Sequence, residues 1–219
     1  GRWGRSLLRE RRRCGEDAVR LVILRHAQTA GNLGRCYIGG DTDEPLCAEG
    51  IACARAKAPE LARELAHAGA AQPPRVWVSP LVRASQTADL LFPGIEQVCL
   101  DGLREMRFGA FEGKTADELS GDERYRSWVE GMCEGACPQG ESRAAFSERS
   151  CDAVRSALSQ ATELGAETCC VVAHGGTVMA AMEAFARPAR SYFSWHVACC
   201  CGYLAELGTD GMLRVMSEL

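Results

Sequence analysis

Three short apolar runs constrain the fold of this chain more than any other feature. They occupy residues 19–24, 76–78 and 169–173 and are dominated by valine, leucine, isoleucine and cysteine. Each reads as a buried strand. Between the first two, Ile51, Ala54, Ala58, Leu61 and Leu65 recur three and four residues apart, which defines one apolar face of a crossover helix. Such alternation of strand and helix predicts an α/β sandwich with a mostly parallel sheet.

A chain of 219 residues that is 47% hydrophobic can bury one good core, so one domain over residues 19–219 is expected. Residues 1–18 read as a basic, solvated extension. Through residue 20 the chain carries seven arginines against three acids, and the remainder has a net charge of −8. No aromatic-interleaved basic surface follows the Arg11-Arg12-Arg13 run, so nucleic acid is not an expected partner. Neither a secretory apolar core nor a run of 18 uncharged apolar residues occurs, and the expectation is a cytoplasmic protein without membrane partners. The 13 cysteines are odd in number and include the neighbours Cys169-Cys170 and Cys199-Cys200-Cys201, a spacing that suits reduced thiols better than disulfides. Cys133 and Cys137 lack the second ligand pair of structural zinc, so no metal site is assigned. Nothing in the pattern speaks to oligomeric state.

The remaining elements follow from the same signals. Residues 31–43 form a polar, glycine-rich loop; Ser79-Pro80 offers a cap and a first-position proline for a helix reaching residue 91. A strand over 98–100, an irregular segment over 102–113, an amphipathic helix over 115–132 and a longer helix over 142–164 come next. After the run at 169–173, His174-Gly175-Gly176 reads as a turn before a helix over 177–185. Residues 198–207 and 213–216 read as a hairpin closed through 208–211. His67 reads as an exposed helix end, His196 as a core residue beside Trp195, and Met179 and Met182 as core.

Three of these strands end in reactive groups: Arg25-His26, Ser79 with Arg83 one turn later, and His174. Parallel strands place all three ends along one edge, where α/β folds put their sites. Two arginines and two histidines gathered there repel one another unless the imidazoles are neutral or an anion sits among them. Helix amino termini at Pro80 and near Thr177 add amide donors, so phosphate suits the site. A neutral His26 can act as nucleophile toward it. The proton donor then has to be a carboxylate, and Glu105 and Glu112 lie in a loop that aromatic side chains can shield.

Five blocks carry a family resemblance, in order. They are Arg25-His26-Ala27-x-Thr29-x-x-Asn32; Ser79-Pro80-Leu81-x-Arg83-Ala84-x-Gln86-Thr87-Ala88; Leu103-Arg104-Glu105-Met106-x-Phe108-Gly109-x-Phe111-Glu112-Gly113; Pro138-x-Gly140-Glu141-Ser142; and Ala173-His174-Gly175-Gly176. Together they resemble the histidine phosphatase, or phosphoglycerate mutase-like, superfamily over roughly residues 19–207. The resemblance implies a three-layer α/β/α sandwich and a metal-independent phosphoric monoester hydrolase with no cofactor. It implies His26 as the phosphorylated nucleophile and Arg25, Arg83 and His174 as its phosphate pocket. Glu105 is implied as general acid in preference to Glu112, and Asn32, Thr29, Gln28 and Gly175 as further phosphate contacts. The substrate class implied is a small phosphate ester.

Mutases of the family place a long insertion between the acid and the second histidine, whereas 69 positions separate Glu105 from His174 here. That spacing favours a phosphatase over a cofactor-dependent mutase, and the complete residue set disfavours a non-catalytic phosphate-binding protein. The loop over 34–46 and the Leu103-Arg104-Glu105-Met106 block look most like α-ribazole-phosphate phosphatases of cobalamin synthesis, although the loop is slightly longer than theirs. Two departures stand out: Ala27 replaces the customary glycine, removing easy access to positive φ, and Cys47 replaces the usual hydroxyl cap of its helix.

Overall fold

Among the described residues seven strands form one sheet: β1 (Arg20–Arg25), β2 (Arg75–Val78), β3 (Glu96–Cys99), β4 (Thr168–Ala173), β5 (Ala186–Arg187), β6 (Gly202–Leu207) and β7 (Leu213–Glu218). The computed structural model describes residues 19–219. The basic extension expected over 1–18 lies outside the described residues. Strand order is β3-β2-β4-β1-β6-β7-β5. Only β6 opposes the others, pairing antiparallel with β1 and β7, while β1–β4, β2–β4, β2–β3 and β5–β7 are parallel.

Among the described residues seven α-helices accompany the sheet: α1 (Ala30–Leu33), α2 (Ala48–His67), α3 (Val82–Leu91), α4 (Ala116–Leu119), α5 (Glu123–Glu130), α6 (Arg143–Glu163) and α7 (Gly175–Phe185). Successive residues of a strand face opposite sides. Leu21 and Ile23 of β1 therefore pack on Val154 and Ala157 of α6 and Val178 and Met182 of α7. Val22 and Leu24 pack on Leu61 and Leu65 of α2 and Ala84 and Ala88 of α3. This two-sided burial explains the near-continuous apolar run and makes the molecule a three-layer α/β/α sandwich. Each buried leucine or valine contributes about 1.5–3 kcal/mol, which fixes β1 rigidly. A separate cluster of Met106, Phe111, Leu119, Tyr125, Trp128 and Phe146 seats α4 and α5 beside the carboxyl edge of the sheet.

Several expectations need correction. The helix expected from Ser79-Pro80 begins two residues later, and Leu81 occupies its N-cap position without a side-chain bond. The Asp43 carboxylate accepts from the Val82 amide (2.7 Å) instead, which leaves the Ser79 hydroxyl for other work. The helix expected over 115–132 breaks between α4 and α5, where Asp122 caps α5 by accepting from Arg124 N. The strand expected over 98–100 is shifted to Glu96–Cys99. The polar loop contains α1, closed by a reciprocal Thr29–Asn32 capping box. The helix expected from Thr177 starts at Gly175, and the hairpin's first strand starts at Gly202, after a tight turn in which Cys200 adopts φ 62°. His196 is exposed, because Trp195 and Val197 on either side of it fill the core there.

Both sequence departures are accommodated. Ala27 is fully buried at a φ that needs no glycine, with its methyl among Leu46, Ala54 and Cys200. Cys47 caps α2 through sulfur, accepting from Gly50 N at 3.4 Å. Every described cysteine is free. No described helix is long and apolar enough to cross a membrane.

Candidate active site

The order β2-β4-β1 brings three strand ends side by side. His26 N donates to Ala173 O (2.9 Å) and Ser79 N to Val172 O (3.1 Å), so backbone bonds carry the sheet's register past the strand ends. As a result the His26 and His174 rings meet edge to face with centroids 5.1 Å apart. His26 Nδ1 lies 2.6 Å from Ala27 O. A carbonyl can only accept, so Nδ1 carries the proton and the Nε2 lone pair is left available. His174 Nε2 is 2.7 Å from the Ser79 hydroxyl, which also accepts from Leu81 N (3.3 Å).

Both imidazoles are held neutral. His26 is lowered to about 3, first by burial and then by Arg83 and Arg25. His174 is held well below the usual range by burial, then by His26 and the arginines. Neutrality answers the charge-repulsion problem posed by the sequence.

Arg25 at the end of β1 donates to Val197 O (2.9 Å). Arg83 is fully buried and donates to Thr42 O (2.7 Å) and Gly39 O (3.0 Å), which ties α3 to the polar loop. The Nε atoms of Arg25 and Arg83 and Nδ1 of His174 are buried without a hydrogen-bond partner among the described residues. Three orphaned nitrogens around one histidine suit an anion.

Glu105 completes the cluster from the irregular segment. Its carboxylate accepts from Met106 N (2.8 Å) and Gly176 N (3.2 Å). Burial pushes its carboxyl up, against the opposing pull of those two amides and of Arg83 and Arg25. One amide of the α7 amino terminus, that of Gly176, is thus directed at a carboxylate. A side chain at Gly176 would drive its Cβ into Glu105 Oε1. Glu112 has a different task, accepting from Gly39 N (2.7 Å) and Phe108 N (3.2 Å) and so bracing two loops.

An unprotonated imidazole nitrogen, two arginines and a carboxyl of raised pKa therefore meet at one sheet edge. The family model of the histidine phosphatase superfamily, branch 1, matches residues 21–216. The chain belongs to this family. A solved structure of the α-ribazole phosphatase from Shigella flexneri is similar, with a TM-score of 0.77 at 25% identity, covering 90% of this chain and 96% of that one. The phosphoglycerate mutase from Thermus thermophilus is similar with a TM-score of 0.63 at 30% identity, covering 92% and 98%. A protein from Serratia proteamaculans named "Probable phosphoglycerate mutase GpmB" is 30% identical over 145 residues. That match spans 64% of this chain and 63% of that protein, under two thirds of its length.

Within this member of the superfamily, the structure brings together Arg25, His26, Arg83, Glu105 and His174, with Gly175 beside the Arg25 side chain. Thr29 and Asn32 stand on the adjacent turn. The Thr29 hydroxyl is committed to the cap of α1 (3.2 Å), and the Asn32 side-chain oxygen is likewise committed to Thr29 N (3.2 Å). Gln28 is half-buried and contributes its backbone carbonyl to Cys47 N (3.0 Å). The sequence places Ser79 at the site edge but does not reveal its pairing with His174, and it gives no sign of Asp43 at the start of α3 or of Arg149 behind Glu105. Ser79 was misread as a helix cap, since serine before proline carries that signal equally well. Asp43 and Arg149 act across 39 and 44 residues, and no local pattern reveals such pairings.

Proposed function

We propose that this histidine phosphatase hydrolyses a small phosphate monoester through a phosphohistidine at His26, without a metal ion. The observation that carries the reading is a neutral His26 with its Nε2 lone pair free, set among arginines and opposite a carboxyl whose pKa is raised by burial. Nε2 attacks phosphorus as the bond to the leaving oxygen breaks, and Glu105 gives its proton to that oxygen. Water then attacks the phosphohistidine, giving its proton to the Glu105 carboxylate, and the phosphorus–nitrogen bond breaks to free phosphate. Arg25, Arg83 and His174 stabilise the transferring group's oxygens throughout. Gly175, Gln28, Thr29 and Asn32 border it, the last two chiefly by fixing the turn.

The likeness to an α-ribazole phosphatase and the short stretch from Glu105 to His174 favour a phosphatase over a mutase, with α-ribazole 5′-phosphate as the first substrate to try. A phosphatase panel ranked by kcat/KM, run in EDTA with His26→Ala as control, tests this. Metal-free turnover that disappears in His26→Ala supports the reading; undiminished turnover in that variant contradicts it. Interconversion of phosphoglycerates on adding 2,3-bisphosphoglycerate would instead indicate a mutase.

A further inference from the structure

Glu105 has no strand or long helix to hold it. It lies between two short 3-10 turns, Asp101–Leu103 and Gly109–Phe111, yet its carboxyl must meet the leaving oxygen within hydrogen-bond reach. Arg149, near the second turn of α6, occupies the space behind this segment. Its Nη1 donates to Gly102 O (3.1 Å) and Arg104 O (2.8 Å), and its Nη2 to Glu105 O (3.0 Å). Nε and Nη2 donate to the two oxygens of Glu141 (2.8 and 2.7 Å). All five donors of one guanidinium are therefore used. Glu141 extends the hold past Glu105 by accepting from Arg107 N (2.9 Å), and the Glu141 amide donates to Arg107 O (2.9 Å).

A second arm of the same side chain reaches the other contact of Glu105. The guanidinium lies over the Phe146 ring, 5.0 Å from its centre. That ring backs Gly176 so closely that a Cβ there would lie 2.9 Å from it, and Gly176 N is one of the two amides on the Glu105 carboxylate. One planar cation thus fixes the backbone carrying the carboxyl and the wall behind the amide it touches. Lysine cannot replace such a fork.

We infer that Arg149 is a positioning residue for Glu105, holding the proton donor at the leaving oxygen without touching substrate; this rests on the reading of Glu105 as general acid. A donor matters for an alkyl leaving group and little for p-nitrophenolate, which departs without a proton. The experiment compares kcat/KM for glycerol phosphate and p-nitrophenyl phosphate in wild type, Arg149→Lys, Arg149→Ala, Glu141→Gln and Glu105→Gln, each below its melting temperature. Arg149→Lys should lose about 30-fold on the alkyl ester and at most about threefold on the aryl ester. Glu141→Gln should lose in the same sense but less, and a few millimolar guanidinium should restore part of the alkyl activity of Arg149→Ala. Equal losses on both esters in the Arg149 variants, beside a selective loss in Glu105→Gln, would reduce Arg149 to a stability residue and overturn the inference alone. An unselective Glu105→Gln would overturn the acid assignment and the inference together.

Discussion

His26 and His174 stand immediately beyond neighbouring strands, whereas Glu105 stands in a loop that only side chains and single amides hold in place. The first half of the site inherits its geometry from the ladder: β1 and β4 run in register to Arg25 and Ala173, and the next backbone bond joins His26 to Ala173. The second half is assembled from remote parts, namely Arg149 and Glu141 from behind, Gly176 from the α7 terminus, and Glu112 bracing the loop at Gly39. Arg83 joins the halves, sitting beside His26 while bonding Gly39 and Thr42. In the mechanism we propose, position along the carboxyl edge decides who attacks, and contacts distant in sequence decide who protonates. Changes in the strand-built half should therefore abolish chemistry, and changes in the loop-built half should grade it by leaving group.

The largest effect should come from His26→Ala, with kcat falling by at least about 10³-fold on every ester, aryl or alkyl, because the covalent route is gone. Next, Glu105→Gln should lose about 10²–10⁴-fold in kcat/KM on alkyl phosphates and far less on aryl ones. A uniform loss would erase the distinction between the halves. The same variant should flatten the alkaline limb of the wild-type profile, since a donor whose pKa is raised must be protonated to act and activity falls as pH climbs through it. The acid limb, set by His26 near 3, should remain. Gly176→Ala is expected to resemble a mild Glu105 variant, because the new methyl displaces the carboxylate oxygen while leaving the histidines in place; steady-state rates on the paired esters check it.

Smaller effects concern stability. Between pH 6.5 and about 3 the unfolded chain takes up a proton at His26 that the folded chain refuses. Stability from this group therefore falls as pH falls through that window. Thermal melts should show His26→Ala losing less stability than wild type over the same descent; parallel curves would contradict the neutral, buried imidazole. Asp43→Ala should cost about 1 kcal/mol by freeing the Val82 amide, with kcat within a factor of a few, as urea titrations and rates would show.

Legibility followed the same division. Two-sided burial writes itself into composition, so β1, β2 and β4 and the residues leaving their ends were readable from apolar runs alone. Position and shielding left Glu105 as one of two candidate acids and the family resemblance favoured it over Glu112; the structure adds that burial raises the Glu105 carboxyl while Glu112 braces the Gly39 and Phe108 amides. Ser79 misled because a cap and a histidine partner demand the same hydroxyl. Arg149 left no trace, since a helix position on a half-buried face looks like any solvated arginine until the loop folds over it.

The most direct test traps the intermediate. Glu105→Gln should accept a phosphoryl group from p-nitrophenyl phosphate, whose leaving group needs no donor, and then hydrolyse it slowly for want of a base. Rapid quenching at alkaline pH and peptide mass spectrometry should find one phosphoryl group per chain on His26, stable to alkali and lost in acid. Label on another residue, or turnover by wild type with His26 never phosphorylated, would contradict the account.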